Sequence, residues 1–422
     1  MTASPEDGVR SHSRPSDLKI VDLRVATLVG VPFRSTIVRI DTNQGLSGYG
    51  EVRDGASKTY ALLLKSRLLG ENPCNVDRLF RKIKQFGHHA RGAGGVCGVE
   101  MALMDLAGRA YGAPAYALAG GRFRDRVLCY TDTPSVADPE AMGRRLVDRR
   151  RRGFGFLKMD VGIDLLRDVP GAVIAPPAAL DGRTTMHPFT GIQVTEKGVR
   201  HLAEYVSTVR SVVGYDVPLA VDHFGHIGVE SCIRIGRALE PFALAWLEDM
   251  IPWQLTDQWR RLTTSIATPT CTGEDIYLRD GFRPLLEQRA VSIIHPDPAT
   301  SGGILETRRI GDEAEEHGIP MALHVAASPI ATLAAVHIAA ATPNFLALEH
   351  HAADVPWWSD LVTGLPRPLI EDGSITVPDA PGLGFDGIDE DVFRAHIDPA
   401  SPGFFEPTDG WDAEVSSDRL WS

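Results

Sequence analysis

Two different rhythms of apolar and polar positions divide the chain. From Lys19 to Glu51 apolar and polar residues alternate, so "KIVDLRVATLVG" and "RSTIVRIDTNQGLSGYGE" predict antiparallel strands, with "TNQG" as a turn inside the second. A helical period follows in "SKTYALLLKSRLL", "NVDRLFRKIKQF" and "GVCGVEMALMDLAGRAYG". This first part reads as a small α+β domain. After Gly121 the rhythm changes to short, β-rich apolar runs separated in most cases by amphipathic helices. The runs are "RVLCYTDT", "FGFLKMDVG", "VPLAVDHF", "LAWLEDM", "TPTCTGED", "VSIIHPD", "PMALHVA" and "FLALEHH". Continuously apolar strands followed by helices imply a parallel sheet covered on its outer face, and eight such units imply a closed α/β barrel. The alternative, a doubly wound open sheet, rarely keeps so even a beat.

Polar and ionisable residues close most of these strands. Asp222, Glu248, Glu274, Asp297, His324 and Glu349 recur at intervals of 26, 26, 23, 27 and 25 residues, one strand–helix unit each. In a closed barrel the C-terminal strand ends converge on one face, where active sites are built. The pattern therefore predicts a single constellation of side chains.

Composition narrows the chemistry. The chain has 422 residues, a hydrophobic fraction of 43% and a charged fraction of 23%, ordinary for a globular protein. No apolar run approaches the ~20 residues that span a membrane. The polar start, "MTASPEDGVRSHSRPSD", lacks the apolar core of a signal peptide and reads as a disordered leader. A net charge of −12 without a long basic block argues against nucleic acid as a partner. The basic tract "RRLVDRRRRGFG" falls on a predicted helix and reads as a solvated face. Cys74, Cys97, Cys129, Cys232 and Cys271 are scattered without CxxC spacing, which disfavours zinc or a disulfide framework and suits the cytoplasm.

Asp222, Glu248 and Glu274 end three consecutive strands. Three carboxylates aimed into one volume repel one another unless a cation neutralises them, and an all-oxygen set favours Mg²⁺ or Mn²⁺ over zinc. The simpler alternative is that each carboxylate caps its own helix. The next two strands carry Asp297 and His324, a carboxylate placed to orient an imidazole as a general base. On the second strand "FLKMDVG" directs Lys158 and Asp160 to one side, so Lys158 could neutralise a substrate carboxylate or pair with Asp160. These parts suit proton removal beside a carboxylate, with the resulting enediolate stabilised by the ion.

At this point the sequence resembles the enolase superfamily, mandelate racemase branch, over nearly its whole length. The first domain, with "GYGE" and "ALMDLAGRAYG", is similar to the family's capping domain, and "DGSITVPDAPGLG" to the segment that returns to complete it. "LEDMIPW", "TGED", "HPDPATSGGILE" and "NFLALEHH" resemble the family's fourth, fifth, sixth and eighth strand ends. The resemblance implies a modified TIM barrel, (β/α)7β, with an α+β cap. The chain then divides into the leader at 1–17, the cap at 18–122, the barrel at 123–364 with a long insertion at 163–194, and the C-terminal return at 365–422. The resemblance also implies Mg²⁺ on Asp222, Glu248 and Glu274, a His324–Asp297 dyad, and Glu349 as a hydrogen-bonding group near the substrate carboxylate. Residues near Val31–Ser35 and Glu51–Ser57 are implied to close over the mouth.

Two departures from the family refine the expectation. Racemases of this branch carry Lys-x-Lys on the second strand, whereas this chain has Lys158-Met159-Asp160. Only the His324 face is plainly equipped with a base, which favours β-elimination of water over racemisation; Asp160 or a residue from the cap is the alternative second base. Many acid-sugar dehydratases of the branch have Asp-x-His on the third strand. Here Phe224 takes that place, with His223 beside it and His226 in the loop as the general-acid candidate. The long 163–194 loop either offers His187 or Arg183 to a polyol or is a surface excursion, and Trp357 and Trp358 either line the pocket or pack under the cap. The expected function is a Mg²⁺-dependent acid-sugar dehydratase that gives a 2-oxo-3-deoxy acid. The alternatives are a racemase, epimerase or anhydro-sugar-acid cycloisomerase using the same enediolate, or a non-catalytic acid-metabolite binder. A homo-oligomer is expected from the resemblance.

Overall fold

A computed structural model describes residues 13–176, 191–222 and 227–412. The alternating N-terminal segment forms a three-stranded antiparallel sheet, Ile20–Leu28, Ser35–Thr42 and Ser47–Val52, with the expected turn after Thr42. The long helix Gly94–Tyr111 packs across it. The glycines of "GYGE" make that approach possible: a Cβ on Gly50 would lie 1.9 Å from the Gly98 carbonyl oxygen, and one on Gly48 2.3 Å from that of Ala102. The first predicted helix breaks into two short ones, Thr59–Leu62 and Lys65–Leu68.

All eight predicted strands form the barrel: Arg126–Thr131, Leu157–Asp160, Leu219–Asp222, Leu247–Glu248, Thr270–Thr272, Ile293–Ile294, Met321–Leu323 and Phe345–His350. They are parallel neighbours in chain order, and the eighth pairs with the first to close the ring. Helices follow the first seven strands, whereas the eighth leads into a short 3₁₀ turn at Trp358–Leu361. This is the (β/α)7β arrangement. Among the described residues no helix is long and apolar enough to cross a membrane.

The period of two along a strand sets the interior. Tyr130, Phe156, Ala220, Trp246, Ile293, Ala322 and Ala347 form one packed layer inside the barrel. Two positions further along each strand stand Asp132, Lys158, Asp222, Glu248, His295, His324 and Glu349. The apolar layer is the floor on which the polar site rests.

The C-terminal return is present. Ser374–Thr376 pairs antiparallel with the start of the first barrel strand, and isolated bridges join Ala26 to Phe404 and Leu28 to Ile397 in the cap. Phe405 is buried there and its ring contacts Tyr49, Phe393 and Phe404, a burial that contributes about 1.5–3 kcal/mol. Trp357 stacks on His396 with centroids 3.6 Å apart, and buried Trp358 donates to the Ala327 carbonyl. Both tryptophans thus serve packing beneath the return. The basic tract is only partly a solvated face. Arg149 on the helix Pro139–Arg151 is buried and pairs with Asp354, because its side chain turns toward the end of the eighth strand. Pro15, in the polar N-terminal stretch, is also buried and accepts a hydrogen bond from Asn72.

Candidate active site

The mouth of the barrel holds a chain of alternating charges. Lys158, 1% exposed, reaches Asp222 at 2.8 Å, Glu248 at 2.9 Å and Glu349 at 2.6 Å. Burial disfavours its ammonium, but the carboxylates hold its pKa well above the ordinary lysine value. Glu349 is held correspondingly low: burial opposes ionisation, and Lys158, His351 and His324 more than offset it. Trp246, two residues before Glu248, donates to its second oxygen at 2.7 Å. Glu248 therefore has a hydrogen-bond partner on each oxygen.

Glu274 and the histidine dyad form the other half. His324 Nδ1 meets Asp297 Oδ2 at 2.6 Å, and its Nε2 lies 3.1 Å from Glu274 Oε2. Asp297 is oriented on its other oxygen by the Ala299 backbone N–H at 2.6 Å. Burial would lower the His324 pKa, yet Glu274, Glu349 and Asp297 raise it to about 10. The cap supplies a cation that the strand pattern does not reveal. Arg53, 2% exposed, donates to Asp297 Oδ2 at 2.6 Å and reaches Glu274 at 3.3 Å. Despite burial, Arg53 and His324 keep both carboxylates below their ordinary pKa.

Asp160 lines a cavity of about 530 Å³ together with Asp249, Trp253, Thr272, Glu274 and Asp275. That volume lies within the range of small-molecule sites, and its acidic wall runs up to Glu274. Lys158 and Asp160 thus share a strand but have separate surroundings. His223, His226, Arg183 and His187 lie outside the described residues.

Several contributors escape the strand-end reading. His295 is buried, with Nδ1 3.1 Å from Glu248 and Nε2 2.6 Å from the Tyr130 hydroxyl. Its signal in the sequence is the period of two from Asp297. Asp132 and His351 follow the paired ends of the first and eighth strands, and His351 Nδ1 lies 3.5 Å from Asp132. The signal here is the second histidine of "LEHH". Phe33 of the cap lies over His351, ring centroids 6.1 Å apart, so the Val31–Ser35 segment does reach the mouth.

The donor set at the ends of the third, fourth and fifth strands is all carboxylate. In this structure its charge is balanced by Lys158, Arg53 and His324. Oxygen donors of this kind suit a hard divalent cation.

Residues 17–120 match the family described as "Mandelate racemase / muconate lactonizing enzyme, N-terminal domain", and residues 141–392 that described as "Enolase C-terminal domain-like". The chain therefore belongs to the enolase superfamily, in its mandelate racemase and muconate lactonizing enzyme branch. Among its relatives, a D-xylonate dehydratase of Haloferax volcanii is 35% identical over 406 residues, spanning 93% of this chain and 91% of the relative. A D-galactonate dehydratase family member of Streptomyces bingchenggensis is 28% identical, over 92% of this chain and 96% of its own length. A mandelate racemase/muconate lactonizing enzyme-like protein of Rubrobacter xylanophilus superposes with a TM-score of 0.80 at 33% identity, covering 92% of this chain and 99% of that one.

Proposed function

We propose that this protein is a Mg²⁺-dependent dehydratase of a sugar acid, with a five-carbon aldonate such as D-xylonate as the first substrate to test. The observation that carries the reading is the His324–Asp297 dyad in contact with Glu274, in a chain 35% identical over 406 residues to a D-xylonate dehydratase. Asp222, Glu248 and Glu274 would hold the ion. Bound there, Mg²⁺ would supply positive charge against the charge that develops on the substrate carboxylate and, by neutralising Glu274, relieve the pairing that keeps His324 protonated.

The protein's own groups then divide the work. Lys158 orients the substrate carboxylate by charge, and Glu349, once it takes up a proton, donates a hydrogen bond to it. His324, neutral and aligned by Asp297, takes the proton from the carbon beside that carboxylate at Nε2. Arg53 fixes Asp297 from the cap and so ties the base to a seated cap. Expulsion of the β-hydroxyl gives an enol that becomes the 2-oxo-3-deoxy acid. Asp160 stands in place of the second lysine, which leaves one face of the carbon without a lysine base and favours elimination over racemisation.

The test is to supply Mg²⁺ and a panel of aldonic and aldaric acids and to trap 2-oxo product as its semicarbazone. Product from at least one aldonate is expected. Product from none, with isomerised substrate instead, would overturn the dehydratase reading.

A further inference from the structure

The dehydratase reading requires a proton donor for the departing hydroxyl. We propose that His351, backed by Asp132, is the general acid that protonates this hydroxyl, a role that rests on the dehydratase reading above. The placement follows from closure of the barrel. The eighth strand pairs with the first through Glu349↔Tyr130 and His350↔Thr131, so the next residues, His351 and Asp132, emerge side by side at the mouth. His351 Nδ1 faces Asp132 Oδ2 at 3.5 Å, as His324 Nδ1 faces Asp297. The two imidazole centroids are 5.6 Å apart, with Glu349 between them, 3.1 Å from His351 Nε2 and 3.8 Å from His324 Nε2. That spacing spans two adjacent carbons of a substrate.

The surroundings favour the charged form of His351. Burial disfavours its imidazolium, but Glu349 and Asp132 together hold its pKa above the ordinary histidine value. Its side chain is 16% exposed, facing the mouth beneath Phe33 of the cap, whereas Glu349 is fully buried. When Glu349 turns an oxygen to the substrate carboxylate, the Nε2 proton of His351 is left facing the carbon chain.

The step balances. His324 takes the α-proton, and the electron pair of that C–H bond forms the Cα–Cβ double bond. The Cβ–O bond breaks with its electrons on oxygen, and that oxygen takes the His351 proton and leaves as water. Solvent reprotonates His351 between turnovers.

His351→Asn and Asp132→Asn are compared with wild type on D-xylonate, or on whichever aldonate the wild type dehydrates. Three readouts are followed: exchange of the α-proton with D₂O, formation of the 3-deoxy product, and fluoride release from the matching 3-deoxy-3-fluoro analogue. Fluoride leaves without a proton, so it does not need the acid. His351→Asn is expected to lose dehydration by about 10²–10⁴-fold while keeping α-proton exchange and fluoride release. Asp132→Asn is expected to lose less, in the same pattern. Retained dehydration in His351→Asn would overturn the proposal. So would parallel loss of all three readouts in a variant that still binds Mg²⁺, which would make His351 a support for Glu349. A wild type that dehydrates no aldonate but exchanges the α-proton would instead remove the dehydratase reading, and this proposal with it.

Discussion

Buried carboxylates appear in two regions of this molecule, and they behave differently in each. At the junction of cap and barrel, Glu51 accepts from the Ser328 hydroxyl and from the backbone N–H groups of Ser328 and Ala331, at the start of the helix Pro329–Ala341. Glu100 likewise accepts from Ile304 and Leu305 at the start of Gly303–Glu316, and Asp105 from Tyr49 and Leu383. These groups answer donors that every helix start or exposed strand leaves open. At the mouth, Asp222, Glu248, Glu274 and Glu349 instead face Lys158, Arg53 and histidines. Such a cluster is poorly satisfied by the backbone and is held by mutual charge, which a substrate or an ion can rearrange. One set joins domains; the other is available for chemistry.

The largest effect expected from breaking this contrast is at His324, the proposed base. His324→Asn should lower turnover by about 10⁴-fold while Mg²⁺ affinity, read by calorimetry, stays within a few fold. Removal of the ion itself by EDTA should abolish turnover until Mg²⁺ or Mn²⁺ is restored. Lys158→Met should lower kcat/KM by about 10²–10³-fold. It should also destabilise the ion-free protein by about 3–5 kcal/mol, because buried carboxylates lose their partner. Added Mg²⁺ should raise the Tm of that variant more than that of wild type; equal shifts would mean that Lys158 does not balance the metal carboxylates.

The smallest effect is expected at the junction. Glu100→Ala should cost about 1–3 kcal/mol through the stranded N–H groups and leave kcat per folded molecule unchanged. Its pH dependence has a defined sign. Burial pushes Glu100 up to about 8 from 4.5, so folding favours the protonated form. Stability from this group is full below the unfolded value and is lost as pH rises through about 8. Glu100→Gln should remove that decline in a denaturant titration series, whereas a slope identical to wild type would show that Glu100 is ionised in the folded protein.

The barrel was legible because the strand ends repeat, and a repeat of 23 to 27 residues survives uncertainty about any single strand. The positions of the trio, the dyad and Glu349 follow from that beat, and their proposed roles from the residue chemistry and the family resemblance. Arg53 was not legible as a site residue, since it approaches Asp297 across 244 positions and belongs to a loop without periodicity. Tyr130, Trp246 and His295 were hidden for another reason. Tyr130 and Trp246 lie one step beneath the strand ends and His295 two residues before Asp297, where an aromatic or a histidine looks like core until its partner is seen. His351 follows a strand end and resembles a loop residue, and only closure of the first strand on the eighth brings Asp132 beside it.

The most direct test of the central claim is proton NMR of the dehydration product formed from D-xylonate in D₂O with Mg²⁺. Removal of the α-proton by His324 predicts an enol that takes one deuteron from solvent as it becomes the 2-oxo acid. The C3 position of the product should therefore carry one proton and one deuteron. A product with two protons at C3 would mean that the α-hydrogen had moved internally, and would contradict the account.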